Sequence, residues 1–189
     1  MPSSSHLTVI DIEKDTGLMR ALAARKQSAL QDIMNQHLSG LLAFATRLVR
    51  ERTDAEDIVQ EAFFRLWQAA ADWKQGGRIR PWLYTTTYRL GIDHIRRQAR
   101  HAPMQEDGEP LQDMEASLVE RADISALIGQ LPQRQRAALS LYIEGYNHNE
   151  AAQIMDLSLD AFTSLLARAR KTLLHHTRTG ETHEKRRKP

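Results

Sequence analysis

The sequence predicts an all-α protein made of two small helical domains joined by a flexible acidic linker, with a helix-turn-helix in the second domain. Apolar residues recur at three- and four-residue steps over several long stretches, which is typical of helices with one buried face. Glycine and proline are scarce, at 9 and 6 of 189 residues, and long strand-like runs of Val, Ile and Thr are missing. Between two such helical regions lies a stretch rich in acidic residues.

The overall composition excludes several classes of protein. Lys and Arg number 26 against 24 Asp and Glu, so the net charge is +2 and any nucleic-acid surface must come from local charge segregation. The absence of cysteine excludes disulfides, cysteine-ligated metal sites and thiol nucleophiles. No apolar run reaches the roughly 18 residues of a membrane span, and the first residues lack a signal-peptide pattern. We therefore expect a cytoplasmic protein with no membrane insertion of its own.

The first half of the chain predicts an N-terminal arm over 1–26, followed by a helical domain over 27–101. The arm is weakly patterned, and Thr16-Gly17 interrupts its short apolar run. This pattern favours a partly ordered arm over a packed element. A long apolar stripe then predicts a helix over 28–50.

Two further helices of this domain have recognisable starts. Thr53 and Glu56 have the spacing of a capping box, which predicts that a helix begins there. Pro81 suits the first turn of the next helix, which ends near residue 100. Trp67 and Trp82 fall on the apolar stripes of these helices and are predicted to be core residues.

The second half of the chain begins with the predicted linker, residues 102–117. Seven acids stand against one base over 104–123, which disfavours a packed element. A second domain is predicted over 118–177, and a basic tail over 178–189. The helices expected in the second domain lie at 118–129, 133–144, 148–156 and 159–177.

Aromatic and basic residues are concentrated in one part of the first domain. Of 11 aromatic residues, seven lie between Phe63 and Tyr88, and residues 74–101 carry seven bases and one acid. Such a surface can hold phosphates and stack unpaired bases, each stacked base contributing about 1–3 kcal/mol. For Trp73, Tyr84 and Tyr88 the sequence leaves base contact and internal packing equally open.

The second domain contains the pattern of a helix-turn-helix. The short helix at 148–156, the tight turn that ends at Ser158 and the helix at 159–177 match a motif that inserts its second helix in the major groove. Ser158 is expected to cap that second helix. Two-helix corners also occur in proteins that never contact DNA, so this pattern alone leaves both readings open.

A cluster of acidic residues precedes the basic segment. Four acids lie within eight residues: Asp54, Glu56, Asp57 and Glu61. This surface repels DNA, and it is either a docking face for a basic protein partner or an ordinary solvated helix face. From the residues alone, the solvated face is the preferred interpretation.

Sequence patterns of catalysis are absent. The chain has no glycine-rich phosphate loop, no His-Glu-x-x-His and no Gly-x-Ser-x-Gly, and its eight histidines are scattered. We therefore expect no catalytic residues, no metal and no cofactor, and a protein that is not an enzyme.

Three groups of residues together resemble a known family. The run from Asp54 to Phe63 with Leu66-Trp67 resembles the core-polymerase-binding segment of bacterial sigma factors. Their −10-recognition segment is similar to two runs of this chain, Pro81-Trp82-Leu83-Tyr84 and Asp93-His94-Ile95-Arg96-Arg97. Their −35-reading helix-turn-helix is similar to this chain at Leu131-Pro132, Arg136, Glu144-Gly145-Tyr146, Glu150-Ala151-Ala152 and Arg168-Ala169-Arg170. The family is the extracytoplasmic function (ECF) sigma factors of the sigma-70 superfamily, and the resemblance covers roughly 28–101 and 118–174.

The resemblance implies roles for three sets of residues. The residues implied to bind core polymerase are Asp54, Asp57, Gln60, Glu61, Phe64 and Arg65. Those implied to bind −10 DNA are Trp73, Arg78, Arg80, Tyr84, Thr85, Tyr88, Arg89, Arg96 and Arg97. Those implied to bind −35 DNA are Arg136, Asn149, Asp160, Thr163, Ser164, Arg168, Arg170 and Lys171.

The partners implied by the resemblance are core RNA polymerase, promoter DNA and a cognate anti-sigma factor. On the polymerase, the contacts would be the coiled-coil clamp helices of the β′ subunit and the β flap. The chain departs from the family at Arg89, where many relatives have Asn, and at Thr163-Ser164-Leu165, where many have Lys-Ser-Arg. A leucine cannot make the bidentate guanine contact of an arginine, so −35 readout is expected to rely on the neighbouring polar residues and on DNA shape.

Two other functions fit parts of the pattern. A helix-turn-helix regulator that binds duplex DNA without polymerase would need a dimer interface and would have no use for the acidic cluster. A pure interaction module that senses a signal by binding a response protein would support no transcription.

Overall fold

The computed structural model describes the backbone of residues 4–74, 76–101 and 127–184, and the side chains within 12–74, 76–100 and 127–174. The chain divides into two compact units, one ending at Asp93 and the other beginning at His94. Every regular element in the described ranges is a helix, which confirms the predicted all-α fold class. None of these described helices is both long and apolar enough to cross a membrane.

The first unit is built around three long helices that follow an N-terminal one. In chain order the elements are α1 (Ser4–Ala23), α2 (Gln27–Val49), α3 (Arg52–Ala69), a short 3-10 helix (Ala70–Asp72) and α4 (Ile79–His101), of which the residues up to Asp93 belong to the first unit. The fully buried side chains at their centre include Ile33, Leu41, Phe44, Leu48, Leu66, Ile79 and Leu83. The periodic apolar stripe predicted α2 to within one residue at each end.

Helix α1 differs from the partly ordered arm that the sequence predicts. It runs without interruption through Thr16 and Gly17, and it packs on α2 and on the 3-10 helix. Met19 and Leu22 are each 1% exposed, so α1 contributes to the core. A glycine inside a helix costs about 1 kcal/mol, and the burial of two large apolar side chains offsets that cost.

The connection between α2 and α3 also differs from prediction. Arg50 closes α2 in the left-handed region, with φ of 73°, and Glu51 is the N-cap of α3. The carboxylate of Glu51 accepts a hydrogen bond from the Thr53 backbone N–H at 3.5 Å. The predicted capping box is wrong because the helix begins before Thr53, which leaves Glu56 to pair with Arg52 at 2.8 Å instead.

Helix α4 packs closely against the C-terminal half of α2. A β-carbon at Gly91 would overlap the Leu48 side chain, so only glycine lets the two helices approach this far. Seven residues before Gly91 on α4, the Tyr84 ring lies 5.3 Å from the Phe44 ring, measured between centroids. These contacts bury the side of α4 that carries Tyr84 and Gly91, while Arg89, Arg96 and Arg97 are exposed.

Thr87 provides a test of this packing. Its side chain is fully buried on α4, and the described residues offer its Oγ1 no hydrogen-bond partner. An unsatisfied buried hydroxyl costs about 1–3 kcal/mol, so Thr87→Val is expected to raise the free energy of unfolding of the first unit by about 1 kcal/mol. Urea unfolding followed by tryptophan fluorescence measures this, because the three tryptophans lie in this unit.

Thr85→Val is the matched control for that measurement. The Thr85 hydroxyl donates to the Pro81 carbonyl at 2.8 Å, so its removal is expected to leave stability unchanged or slightly lower. A Thr87→Val protein less stable than wild type would contradict the assignment of an unsatisfied hydroxyl.

The second unit contains the predicted helix-turn-helix. Its helices are α5 (Gln133–Ile143), α6 (His148–Ile154) and α7 (Leu159–Glu184). The buried core includes Leu131, Leu141, Phe162, Leu166 and Ala169. Of the helix predicted at 118–129, only the last turn lies within the described residues, and the linker predicted at 102–117 lies outside them. Helix α7 continues past the predicted end at 177, into the segment expected to be a basic tail.

Side-chain and backbone caps hold the turns of this unit. Ser158 caps α7 as predicted, with its hydroxyl accepting from the Ala161 N–H at 3.2 Å. Gly145, with φ of 83°, follows α5 and donates to the Tyr142 carbonyl. A capping box of Asn147 and Glu150 starts α6. These caps satisfy backbone groups at the end of α5 and at the starts of α6 and α7, and the seven-residue α6 is too short to be stable alone.

Candidate functional site

An open groove lies between α2 and α3 in the first unit. It encloses about 620 Å³ and has an apolar floor with a polar edge formed by α3. Phe64 projects into it with 56% of its surface exposed. The residues that line it are Leu30, Met34, Leu38, Leu42, Glu56, Asp57, Val59, Gln60, Phe63, Phe64 and Trp67. A groove of this shape and composition fits an amphipathic helix with basic residues beside its apolar face.

The structure separates the six predicted polymerase-binding residues into two groups. Asp57, Gln60 and Phe64 line the groove, whereas Asp54, Glu61 and Arg65 do not. Among the latter, Glu61 pairs with Arg65 at 2.7 Å between Oε1 and Nε, with both side chains nearly half exposed. Exposed pairs of this kind contribute little to stability, so the carboxylate remains accessible to a stronger partner.

The α2 wall of the groove was missed by sequence reasoning. Leu30, Met34 and Leu38 belong to the apolar stripe that predicted α2, and that stripe was interpreted only as core. Leu38 is 37% exposed. The signal available in the sequence was the stripe itself, which includes Leu30, Met34 and Leu38 besides the buried Ile33 and Leu41. Trp67, predicted as core, is half-buried, and the Arg25 guanidinium lies 5.2 Å from its ring centroid.

The loop before α4 is organised by two tryptophans. The rings of Trp73 and Trp82 meet edge-to-face with centroids 6.0 Å apart, and both residues are half-buried. A β-carbon at Gly77 would lie 3.0 Å from the Trp73 ring, so the loop folds directly over it. The Trp73 Nε1 is buried without a hydrogen-bond partner among the described residues. Trp82 was predicted as core, and the structure places it instead at the edge of this loop.

Tyr84 and Tyr88, for which the sequence left two alternatives open, are packed inside the first unit. Their exposed fractions are 2% and 8%. The Tyr84 ring contacts Phe44 on one side and carries the Arg80 guanidinium 5.6 Å from its centroid. Their rings are therefore not available to stack a base in this conformation. The Thr85 hydroxyl donates to the Pro81 carbonyl of its own helix at 2.8 Å.

The arginines at the start of α4 and along it differ in their exposure to solvent. Arg89, Arg96 and Arg97 are exposed along the helix, while Arg78 and Arg80 at its start are half-buried. Because these arginines lie along one helix that begins just after the loop of Trp73, the arrangement can track a sugar-phosphate backbone next to the loop.

Helix α7 presents most of the predicted −35 residues to the outside. The exposed ones are Asp160, Thr163, Ser164, Arg168, Arg170 and Lys171, and Asn149 is exposed on α6. A notch of about 350 Å³ beside them is lined by Arg134, Leu157, Asp160, Ala161, Ser164, Leu165 and Arg168. Arg134, which sequence reasoning missed, places a second guanidinium at the notch. The Arg170 guanidinium lies 4.5 Å from the Tyr142 ring centroid.

Arg136 lies in the interior, contrary to the expectation that it contacts DNA. It is 6% exposed, and its Nη1 donates to the carbonyls of Gly129 and Leu131 at 3.0 and 3.1 Å. These bonds join α5 to the turn that precedes it. A guanidinium has five donors in a rigid fork, which suits it to satisfy several buried carbonyls at once. We therefore assign Arg136 to the framework of the second unit.

Comparison with known families matches both units of the chain. The family description "Sigma-70 region 2" matches residues 33–101, and "Sigma-70, region 4" matches residues 121–173. The fold and these surfaces thus define a sigma subunit of bacterial RNA polymerase.

Individual relatives place the chain within that class. It is 30% identical over 179 residues to the RNA polymerase sigma factor NccH of Alcaligenes xylosoxydans xylosoxydans, covering 86% of this chain and 94% of the relative. It is 26% identical over 151 residues to the ECF RNA polymerase sigma factor SigM of Bacillus subtilis, covering 76% of this chain and 92% of that protein. The chain belongs to the ECF sigma factors, which confirms the resemblance found in the sequence.

Solved structures show the same fold. CnrH, in a complex with the cytosolic domain of CnrY, superposes with a TM-score of 0.66 at 26% identity, covering 87% of this chain and 97% of CnrH. The sigma factor RpoE of Bartonella quintana, in a complex with the anti-sigma factor NepR, has a TM-score of 0.63 at 24% identity, over 77% of this chain and 94% of RpoE.

Proposed function

We propose that this protein directs promoter-specific initiation by core RNA polymerase in the cytoplasm, and that it has no catalytic activity of its own. The observation that carries the proposal is the groove between α2 and α3, together with a helix-turn-helix in the other unit. One surface suits a protein partner and the other suits duplex DNA. A sigma subunit needs both.

In this proposal the groove binds the β′ clamp helices of the polymerase. Phe64 supplies an exposed aromatic anchor, and Asp57 and Gln60 form a polar edge beside it. Anchors of this kind dominate interface energetics when they fill an apolar pocket of the partner. Basic residues of the partner would pair with Asp57 and displace the weak intrahelical pairing of Glu61 with Arg65.

The loop of Trp73 and the outer face of α4 would hold the melted −10 strand. Trapping an unstacked base offsets the few kcal/mol that unpairing costs. Trp73 is the aromatic candidate for this contact, because it is half-buried and its indole N–H has no described partner, whereas Tyr84 and Tyr88 are packed inside. Arg89, Arg96 and Arg97 would neutralise nearby phosphates.

Helix α7 would enter the major groove of the −35 element. Thr163 and Ser164 are short polar side chains on its exposed face and suit contacts with base edges. Arg134 and Arg168 flank the notch next to them and would bind the phosphates on either side. Leu165 leaves this helix without the bidentate guanine contact of many relatives.

Control by an anti-sigma factor is part of the proposal. Two structural relatives were solved in complexes with partner proteins, CnrH with CnrY and RpoE with the anti-sigma factor NepR. In this chain, an anti-sigma factor that covered the groove between α2 and α3 and the inner face of the second unit would exclude polymerase. The exposed Phe64 and Leu38 are apolar surface that such a partner would bury.

Arg168 tests the −35 part of the proposal. Arg168→Ala is expected to weaken promoter binding by the holoenzyme several-fold at all sequences tested and to reduce the salt slope by about one, because one phosphate contact is lost. Binding to fluorescent duplex DNA over a series of salt concentrations measures both quantities. Arg20→Ala, which removes an exposed arginine from α1, is the control and is expected to change neither. An unchanged slope for Arg168→Ala would remove this residue from the DNA contact.

Binding with and without core polymerase separates this function from its rivals. The proposal predicts weak binding of duplex promoter DNA by the protein alone and tight binding with core enzyme. Tight binding by a dimer of the protein alone would instead support a helix-turn-helix regulator. Core binding without any transcription would support an interaction module.

A further inference from the structure

Helix α1 contacts both ends of the loop that precedes α4. It packs against the 3-10 helix Ala70–Asp72, immediately before the loop. On the other side, the Asp15 carboxylate accepts a hydrogen bond from the Ile79 backbone N–H, with 2.9 Å between Oδ2 and N. Ile79 is the first residue of α4. The two flanks of the loop are therefore held by one helix that is distant in sequence.

The Asp15 contact has the chemistry of a helix N-cap supplied from another element. The first N–H groups of a helix have no partner within it, and a carboxylate there also faces the positive end of the helix dipole. The bond is partly buried, which protects it from competition with water. Met19 and Leu22, both 1% exposed, fix the rest of α1 to the core, so Asp15 is presented from a rigid support.

The surroundings leave the Asp15 carboxylate available for this contact. The neighbouring Lys14 Nζ donates to Gln36 Oε1 at 3.0 Å instead. Burial lowers the pKa of His37, while the Asp15 charge raises it and the Arg80 and Lys14 charges lower it further. The net shift of the His37 pKa is downward, which favours the neutral imidazole over an imidazolium beside Asp15.

We propose that α1 braces the −10 loop and that Asp15 is a positioning residue for promoter opening. It holds the start of α4 at a fixed distance from the 3-10 helix, so that Trp73, Gly77 and the first arginines of α4 keep the geometry that captures an unstacked base. The inference rests on the proposed function. It gives a role to a segment that is otherwise only an N-terminal extension of the domain.

Asp15→Ala and Asp15→Asn test this role in holoenzyme. Opening is followed by the fluorescence of 2-aminopurine placed in the −10 element, and core binding is measured separately. Asp15→Ala is expected to open the promoter about tenfold more slowly, the size of a lost N-cap interaction, with core affinity unchanged. Asp15→Asn keeps a neutral acceptor for the Ile79 N–H and is expected to recover most of the rate, since Asn caps helices about as well as Asp.

Two comparisons separate positioning from general damage to the fold. Glu13→Ala, which removes an exposed carboxylate two residues earlier on α1, is the matched control and is expected to behave as wild type. On DNA that is already unpaired over the −10 element, Asp15→Ala is expected to bind with an affinity that is still lowered, whereas its affinity for −35 duplex stays that of wild type. A loss of core affinity equal to the loss of opening would overturn the role, because it would report an unfolded domain.

The wild-type protein separates failure of this inference from failure of the proposed function. If wild-type holoenzyme opens a promoter and Asp15→Ala opens it at the same rate, Asp15 does not position the loop and only this inference falls. If wild type with core polymerase opens no promoter found by genome-wide transcription, the proposed function falls and the role of Asp15 falls with it.

Discussion

Reversing the charges of Asp57 and Glu61 to lysine is expected to weaken binding to core polymerase by about 100-fold or more. Asp57 lines the groove and is exposed, so a lysine there would face the basic groups proposed for the partner. Like charges opposed across an interface cost several kcal/mol. At position 61, a lysine would also lie beside Arg65, which now pairs with Glu61, and would leave a positive cluster where the wild type has a balanced pair.

The matched control reverses two other acids of the same unit. Glu13→Lys with Asp32→Lys makes the same change in net charge at exposed positions of α1 and α2 that do not line the groove. Fluorescence anisotropy with purified core enzyme measures both double variants, and circular dichroism verifies that their helix content is retained. Equal affinity of the two double variants would contradict the assignment of this groove to the polymerase.

Replacing Arg136 with methionine is expected to destabilise the second unit by about 2–3 kcal/mol. The substitution removes hydrogen bonds to the carbonyls of Gly129 and Leu131 and leaves both without this partner, the first partly buried and the second buried. For a unit of this size the thermal midpoint is expected to fall by roughly 10 °C or more. The effect can be assigned to the second unit, because Trp67, Trp73 and Trp82 all lie in the first unit and their fluorescence reports on that unit alone.

Two signals on the full-length protein therefore report the unfolding of the two units separately and test the prediction for Arg136. Circular dichroism follows all helices, and tryptophan fluorescence follows the first unit alone. Arg136→Met is expected to shift the helical transition of the second unit and to leave the fluorescence transition in place. Arg134→Met, an exposed arginine two residues earlier, is the control and is expected to change neither. If Arg136→Met reduced only −35 binding and not stability, the sequence-based expectation of a DNA contact would be restored.

Periodicity predicted the helices that bury a regular stripe, and it failed where a local signal competed with packing. Helices α2 and α5 begin within one residue of expectation, because their apolar positions repeat at every turn. Helix α1 was expected to be an arm because Gly17 reads as a break. Only the structure shows that Met19 and Leu22 reach the core and hold the helix together.

Single residues of the site were harder to predict than the elements that carry them. An arginine in a helix-turn-helix domain suggests a DNA contact, and the sequence contains no sign that Arg136 turns inward to two carbonyls. Tyr84 and Tyr88 were ambiguous for the same reason, since an aromatic near the edge of a stripe can pack or project. The Asp15 contact with Ile79 spans 64 positions, and no pattern in the sequence relates these two residues.

Promoter-specific initiation is tested by transcription with purified core polymerase on genomic DNA, with and without this protein. The RNA 5′ ends are mapped in both reactions. From the assignment as a promoter-specific sigma subunit, we expect new start sites that depend on the protein and that share two short upstream elements at a fixed spacing, one for each unit of the chain. The absence of protein-dependent starts, together with no detectable binding to core polymerase, would contradict it.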